Sequence, residues 1–313
     1  MNFVQVSTAT LRPHITLGFD VYLLISGKHL LYVNRNDNIE PERLERLKAK
    51  NVRTLYVESK DFEAYERFLK KSATLALNDA SMPNQVKAAI ITGQSKAAVE
   101  SMFTDPEKKE NYLATQAAAA NQVALLQKQP EAIADMLKVA SFDKTTYQHS
   151  VNVATIAIGI ATALEAPEKV REVIGTGALL HDLGRTAVSG QSDPNAPPKP
   201  VDQMTPEEHE HYLQHPRAGA GRLLDKKHIS RDVLDIILLH EERLDGRGFP
   251  SGVKKLDQIF QVVGLANLYD RYVTFEGKTP KEAYLAISEM KPLPYEEDLV
   301  AALKDVLEGQ KIY

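Results

Sequence analysis

The pattern of apolar and polar positions changes character along the chain. Near the start it is short-ranged: Phe19-Asp20-Val21-Tyr22-Leu23-Leu24-Ile25 is rich in β-branched and aromatic residues and stops at the turn signal Ser26-Gly27. His29-Leu30-Leu31-Tyr32-Val33 comes next as its hairpin partner. Pro41 opens a short helix with Leu44 and Leu47 on one face, Thr54-Leu55-Tyr56-Val57 returns as a strand, and Phe62, Tyr65, Phe68 and Leu69 stripe the next helix. Residues 1–72 therefore predict a small α/β domain. Residues 73–140 read as helical: Ala117-Ala118-Ala119-Ala120 favours helix, Pro83 and Pro106 suit helix starts, and Pro130 divides two segments. This stretch is a connector, a dimerisation helix or the first layer of the C-terminal bundle. From 141 to 313 nearly everything is helical. Val151, Ala154, Ile158 and Ala161 recur at helical spacing behind His149, and Val170, Val173, Ile174, Leu179 and Leu180 lead into His181. Asp193 to Pro200 is a proline-rich loop, and Thr205-Pro206-Glu207-Glu208 supplies an N-cap, a first-turn proline and two acids. No internal repeat is evident. The expected fold class is mainly α: an all-helical C-terminal domain preceded by a small α/β domain.

Composition narrows the function. Of 313 residues, 43% are apolar and 26% charged, ordinary for a soluble protein that buries a core. The net charge of −4 supplies no global basic field, so DNA or RNA binding is not expected. Cysteine is absent, which removes disulfides and thiolate metal sites; any metal must be held through nitrogen and oxygen. Residues 1–7 lack a basic region followed by an apolar one, and the apolar run from Val151 to Leu164 is short and contains Asn152 and Thr155. The expectation is a cytoplasmic protein that does not engage a membrane.

The chemistry-bearing residues lie in the second half. They read Tyr147-Gln148-His149-Ser150, His181-Asp182-Leu183-Gly184-Arg185, His215-Pro216, and His240-Glu241-Glu242-Arg243-Leu244-Asp245-Gly246-Arg247-Gly248-Phe249-Pro250. Imidazole and carboxylate hold divalent metals without thiolate, and a metal so held activates water against a phosphoester. A His-Asp pair by itself decides nothing, and the isolated His14 and His29 are read as surface or structural. His149, however, sits in an otherwise apolar helix, which is unfavourable unless its ring has a partner. Imidazoles on successive helices are a way to build a metal site inside a bundle.

With these pieces in order, residues 141 to 290 resemble the HD-GYP family, a branch of the HD phosphohydrolase superfamily. The resemblance rests on the motif at 181–185, the stretch at 204–219 ending in His215-Pro216 and Gly219, the motif at 240–250, and Leu265-Ala266-Asn267-Leu268-Tyr269-Asp270. It implies an all-helical domain with a two- or three-metal centre, commonly iron or manganese, that hydrolyses cyclic di-GMP to pGpG or GMP. Carried over by position, His149, His181, Asp182, His215 and His240 match metal ligands, with Asp182 bridging. Arg185 stands where the family has a lysine that contacts the substrate phosphate, and Asp270 matches the acid that supports it; Arg185 and Asp182 are thus the expected catalytic pair.

The pattern is broken at four further places. Glu241 replaces the second His of the His-His-Glu motif, Asn267 replaces an acid, Phe249 replaces the Tyr of Gly-Tyr-Pro, and Thr145 stands where trinuclear members have an acid. Two metals are therefore expected, iron or alternatively manganese, with Glu241 and Asn267 as completing ligands. One reading is a working phosphodiesterase acting on cyclic di-GMP or a related cyclic dinucleotide. Another is a metal-containing module that binds cyclic di-GMP or a signalling partner without efficient turnover. A third places the function in residues 1–72, recruiting a protein partner. Arg217, Arg222, Lys226, Lys227, Arg243, Arg247 and Arg271 either attract an anionic dinucleotide or form a solvated face.

Overall fold

A computed structural model describes residues 2–13, 15–140, 143–186, 194, 197–309 and 312, apart from the side chains of Lys48 and Ala140. His14 and residues 193, 195 and 196 of the expected loop lie outside these. The chain divides into two compact units, residues 1–97 and 98–313.

In the first unit the strands are β1 (Phe3–Ser7), β2 (Val21–Ile25), β3 (Lys28–Val33) and, after helix α1 (Pro41–Ala49), β4 (Thr54–Glu58). They form one antiparallel sheet in the order β1-β4-β2-β3. Ser26 and Gly27 both take positive φ, 49° and 76°, which lets a two-residue turn match the twist of the β2–β3 hairpin. Helix α2 (Phe62–Asn78) delivers Tyr65, Phe68 and Leu69 to a core shared with Phe19, Val21, Leu55, Val57, Leu44 and Leu47. The hairpin, α1, β4 and the α2 stripe lie where the apolar pattern predicts them. β1 is the element that pattern does not reveal. It is an edge strand with only Val6 buried, and it pairs Phe3 with Glu58 across more than half the unit's sequence.

Helix α3 (Asn84–Thr104) carries the division between the units. The second unit continues with α4 (Lys109–Lys128), α5 (Ala132–Ala140), α6 (Thr146–Ala163), α7 (Glu168–Leu180), α8 (Pro206–Leu223), α9 (Arg231–Leu239), α10 (Gln258–Thr274), α11 (Pro280–Ser288) and α12 (Glu297–Gly309). Pro83 immediately precedes α3, whereas Pro106 lies in a turn three residues ahead of the α4 start. Helix α6 is the axis of this unit: every residue from Thr146 to Ala161 is buried, and α4, α5, α7, α10 and α12 pack around it. That burial explains why α6 reads as apolar on all faces rather than as a stripe. Thr145 caps α6 by accepting from the Gln148 amide, and Thr205 and Glu208 form a capping box at the start of α8. Among the described residues, no helix is long and apolar enough to cross a membrane.

Candidate metal centre

His149, His181, Asp182, His215 and His240 converge in the second unit, and all are fully buried. Backbone acceptors orient three of the rings. His181 and His240 occupy the C-terminal cap positions of α7 and α9, where the last carbonyls have no helical N–H to accept from. Their Nδ1 atoms donate to the Ala178 and Ile237 carbonyls at 2.6 and 2.8 Å. His215 lies inside α8, so its carbonyl partner needs another cause. Pro216 has no N–H to give to the Tyr212 carbonyl four residues back, and the His215 Nδ1 takes that acceptor at 2.5 Å. The His-Pro step thus aims the ring. His149 is aimed by a side chain: its Nδ1 donates to Asp270 Oδ2 at 2.6 Å, while Asp270 Oδ1 accepts from Asn152 and Thr274, each at 3.0 Å.

With every Nδ1 committed as donor, every Nε2 presents its lone pair, and all face Asp182. Oδ1 of Asp182 lies 3.2 Å from His215 Nε2 and 3.9 Å from His240 Nε2; Oδ2 lies 3.8 Å from His149 Nε2 and 3.6 Å from His181 Nε2. Asp182 therefore belongs to two ligand clusters, one with His149 and His181 and one with His215 and His240, each with atoms within 4.8 Å of one another. Neither Asp182 oxygen nor His181 Nε2 makes a hydrogen bond. Buried groups left this way are unfavourable unless a cation completes them. The Nε2 atoms of His215 and His240 also face each other at 2.9 Å, two lone pairs in a water-poor site. Burial and neighbouring imidazoles hold the His240 pKa well below 6.5, and burial pushes His181 down to about 4, so protonation is not the natural relief for these rings. Burial would raise the Asp182 carboxyl, but the Arg185 guanidinium and the imidazoles outweigh it and keep the group ionised. The donor set fits divalent metal.

The remaining expected residues sit around this core. Arg185 Nε lies 2.6 Å from Asp182 Oδ2, an ion pair without hydrogen-bond alignment. Asn267 Oδ1 lies 3.1 Å from His149 Nε2, and its Nδ2 donates to Glu241 at 3.3 Å. Glu241 lies outside both ligand clusters. Its carboxylate accepts from the Tyr212 phenol at 2.6 Å and from Arg271 Nη1 at 3.3 and 3.5 Å. Burial opposes its ionisation, yet the Arg271 charge and the imidazoles of His240 and His215 bring it down to about 2. Asp270, which the resemblance pairs with position 185, instead gives its oxygens to His149, Asn152 and Thr274. Thr145 is occupied as the α6 cap.

Glycines let the motifs approach. A Cβ on Gly184 would lie 1.8 Å from the His215 carbonyl oxygen and 2.5 Å from the Gly219 nitrogen, so the turn at Leu183–Thr186 can rest on α8 only with glycine there. A Cβ on Gly248 would meet the backbone of Glu241, Glu242 and Arg243 within 2.6 Å. Glu242, fully buried, accepts from the Ser251 and Val253 amides and closes this loop. The Phe249 ring stands edge-on to Tyr212, centroids 5.2 Å apart. Beside the centre is a narrow cleft, open to solvent, lined by Arg185, Lys199, Met204, Tyr212, Arg271 and Phe275 among others. Of the cations that the sequence grouped together, Arg271 lines this cleft. Lys226 pairs with Glu107 and Arg243 with Asp245.

Tyr212, Asn152, Thr274 and Glu242 are site residues that motif reading passed over. A signal existed for two of them: Asn152 stands three residues after His149 and Tyr212 three before His215, positions on one helix face.

Comparison with known proteins places this arrangement in a family. The profile of the HD domain matches residues 146–283. The chain is 34% identical over 200 residues to cyclic di-GMP phosphodiesterase PA4108 of Pseudomonas aeruginosa, covering 62% of this chain and 46% of that one. It is 29% identical over 168 residues to a cyclic di-GMP phosphodiesterase of Thermotoga maritima, covering 51% and 44%. It thus spans less than half the length of these curated relatives. Among solved structures, Bd1817, an HDG"Y"P protein from Bdellovibrio bacteriovorus, matches with a TM-score of 0.79 and 32% identity, over 98% of this chain and all of that one. The chain belongs to the HD-GYP family of HD-domain proteins.

Proposed function

We propose that the chain hydrolyses cyclic di-GMP, or a related cyclic dinucleotide, to pGpG or GMP with the help of two divalent metal ions, iron or alternatively manganese. The observation that carries this reading is the buried Asp182 carboxylate, whose two oxygens make no hydrogen bond and are each turned toward two Nε2 lone pairs, with Arg185 as an ion-pair partner of Oδ2. The names of both curated relatives support the substrate. His149 and His181 would serve one ion, His215 and His240 the other, and Asp182 both. Asn267 is the completing oxygen for the first, and Glu241 a carboxylate within reach of the second, 4.0 Å from His240 Nε2. Two such ions would lower the pKa of a water and polarise the scissile phosphate. The chain's own part is orientation. The Nδ1 hydrogen bonds hold the rings, burial keeps competing water from the ligands, and Arg185 offers its fork to a phosphate oxygen. Asp270 acts through His149.

In this proposal residues 141–313 are the hydrolase domain, 73–140 a helical connector, and 1–72 an accessory domain, in a cytoplasmic protein. The exposed Leu24, Ile25, Leu30 and Leu31 of the β2–β3 hairpin support a protein partner there, to be tested by pull-down with the hairpin leucines replaced.

Protein purified without chelator is expected to carry about two transition-metal ions per chain. Supplied with iron or manganese under reducing conditions, it should convert cyclic di-GMP to linear product, and Asp182→Ala should lose metal. Unchanged metal in that variant, or a metal-replete wild type without product, overturns the reading. Tight binding without product would favour a sensor, a reading supported by the engagement of Glu241 with Tyr212 and Arg271 and by the apolar Phe249 ring.

A further inference from the structure

We infer that Arg271 is a second phosphate-binding group, and that the cleft is built for a substrate carrying two separate phosphodiester anions. The inference rests on the phosphodiesterase reading and deepens it.

Arg185 and Arg271 line the same cleft and share one aromatic ring: their guanidinium carbons lie 5.1 and 5.3 Å from the centroid of Tyr212. That ring is a fixed post. It is buried, its phenol donates to Glu241 and accepts from Arg271, and Phe249 stands against it. Both guanidiniums are thereby held in place by cation–π contact, the geometry in which arginine outperforms lysine.

Most of their donors are unused. A guanidinium has five N–H groups. Among the described residues, Arg185 engages Asp182 through Nε alone, and Arg271 engages Tyr212 and Glu241 through Nη1 alone. The side chains are 14% and 17% exposed, so the free N–H groups sit at the boundary between protein and cleft. Donors kept this near to burial without partners await an anion. A single phosphate is satisfied by one fork, and here there are two in different places. Arg185 sits against Asp182, at the ligand centre. Arg271 is anchored to Glu241 and Tyr212, to the side of it. Phe275 and Met204 add apolar wall to the same cleft, a surface on which a base can stack. A cyclic dinucleotide presents both anions and both bases; a simple phosphodiester presents one anion.

The test compares metal-replete wild type with Arg271→Met on two probes: cyclic di-GMP, and bis(p-nitrophenyl) phosphate with its single anion. KM for cyclic di-GMP is expected to rise by on the order of tenfold more than KM for the simple diester, with a smaller change in kcat. Calorimetric binding of a non-hydrolysable phosphorothioate analogue of cyclic di-GMP should weaken in parallel. Equal losses on both probes, or no loss on either, would overturn the inference. Should Arg271→Met fail to fold or to hold metal, Arg271→Lys carries the test. It keeps the charge beside Glu241 and loses the fork, and a selective loss of about threefold or more is required of it. Wild type that neither binds nor cleaves cyclic di-GMP would sink the phosphodiesterase reading and this one with it. Wild type that does both, with no selective loss in the variants, would sink this one alone.

Discussion

Replacing Asp270 by Asn tests whether the aim of His149 matters to metal. Asp270 is 3% exposed and accepts from three donors: His149 Nδ1 at 2.6 Å, Asn152 Nδ2 at 3.0 Å and Thr274 Oγ1 at 3.0 Å. An amide keeps one oxygen and turns an NH2 group toward the others. If the oxygen stays with His149, the amide nitrogen faces the Asn152 amide, donor against donor, and only the Thr274 hydroxyl can rotate to accept. If the oxygen goes to Asn152, the NH2 faces the His149 ring, which must shift its proton to Nε2 and so lose the lone pair that points at Asp182. Losing a charge-assisted hydrogen bond costs about 1.5–3 kcal/mol, and loss of a carboxylate behind a ligating histidine lowers metal affinity by about 10–100-fold, or roughly 1.4–2.7 kcal/mol. The two figures agree in scale. Asp270→Asn is thus expected to weaken metal binding by about 10–100-fold, measured by competition against a chelator of known affinity. An affinity within about twofold of wild type would refute the assignment of Asp270 as the group that positions His149.

Packing and charge supply two further expected outcomes. Gly184→Ala would set a methyl 1.8 Å from the His215 carbonyl oxygen, a backbone atom that cannot rotate away. A loss of about 3 kcal/mol is expected, or roughly 6–12 °C in Tm for a unit of this size, with reduced metal content because α8 carries His215; a Tm within about 2 °C of wild type would contradict the close approach. Chelated protein should lose stability as pH falls from 6.5 toward about 4, because the unfolded chain protonates His181 while burial keeps it neutral in the fold. The folded pKa is depressed, so the stabilisation is present above 6.5 and lost through that window. His181→Gln should flatten the dependence of Tm on pH, and an unaltered slope would count against the burial argument.

Much of the fold was legible along the chain because it is local. The β2–β3 hairpin, the helices that lead into His149 and His181 and the cap at Thr205 arise from periodicity and turn chemistry within a few residues. The five converging side chains were legible as residue types, each in its own motif. Glu242 and Thr274 were not, since a buried hydrogen-bonding role leaves no periodic trace. β1 was missed because an edge strand with one buried residue has almost no pattern to read.

The sequence by itself determined that imidazole and carboxylate, without thiolate, would be the ligating chemistry of a helical domain, because composition and spacing are properties of the chain. Only the tertiary structure decided what each group does. Which ring nitrogen faces Asp182, why Pro216 frees a carbonyl for His215, that Glu241 leans on Arg271 and Tyr212, and that Asp270 serves His149 all depend on partners up to 121 positions apart. Hydrogen bonds and ion pairs form between whatever neighbours folding brings within about 3 Å, and those neighbours are set by how the helices pack, not by their order along the chain.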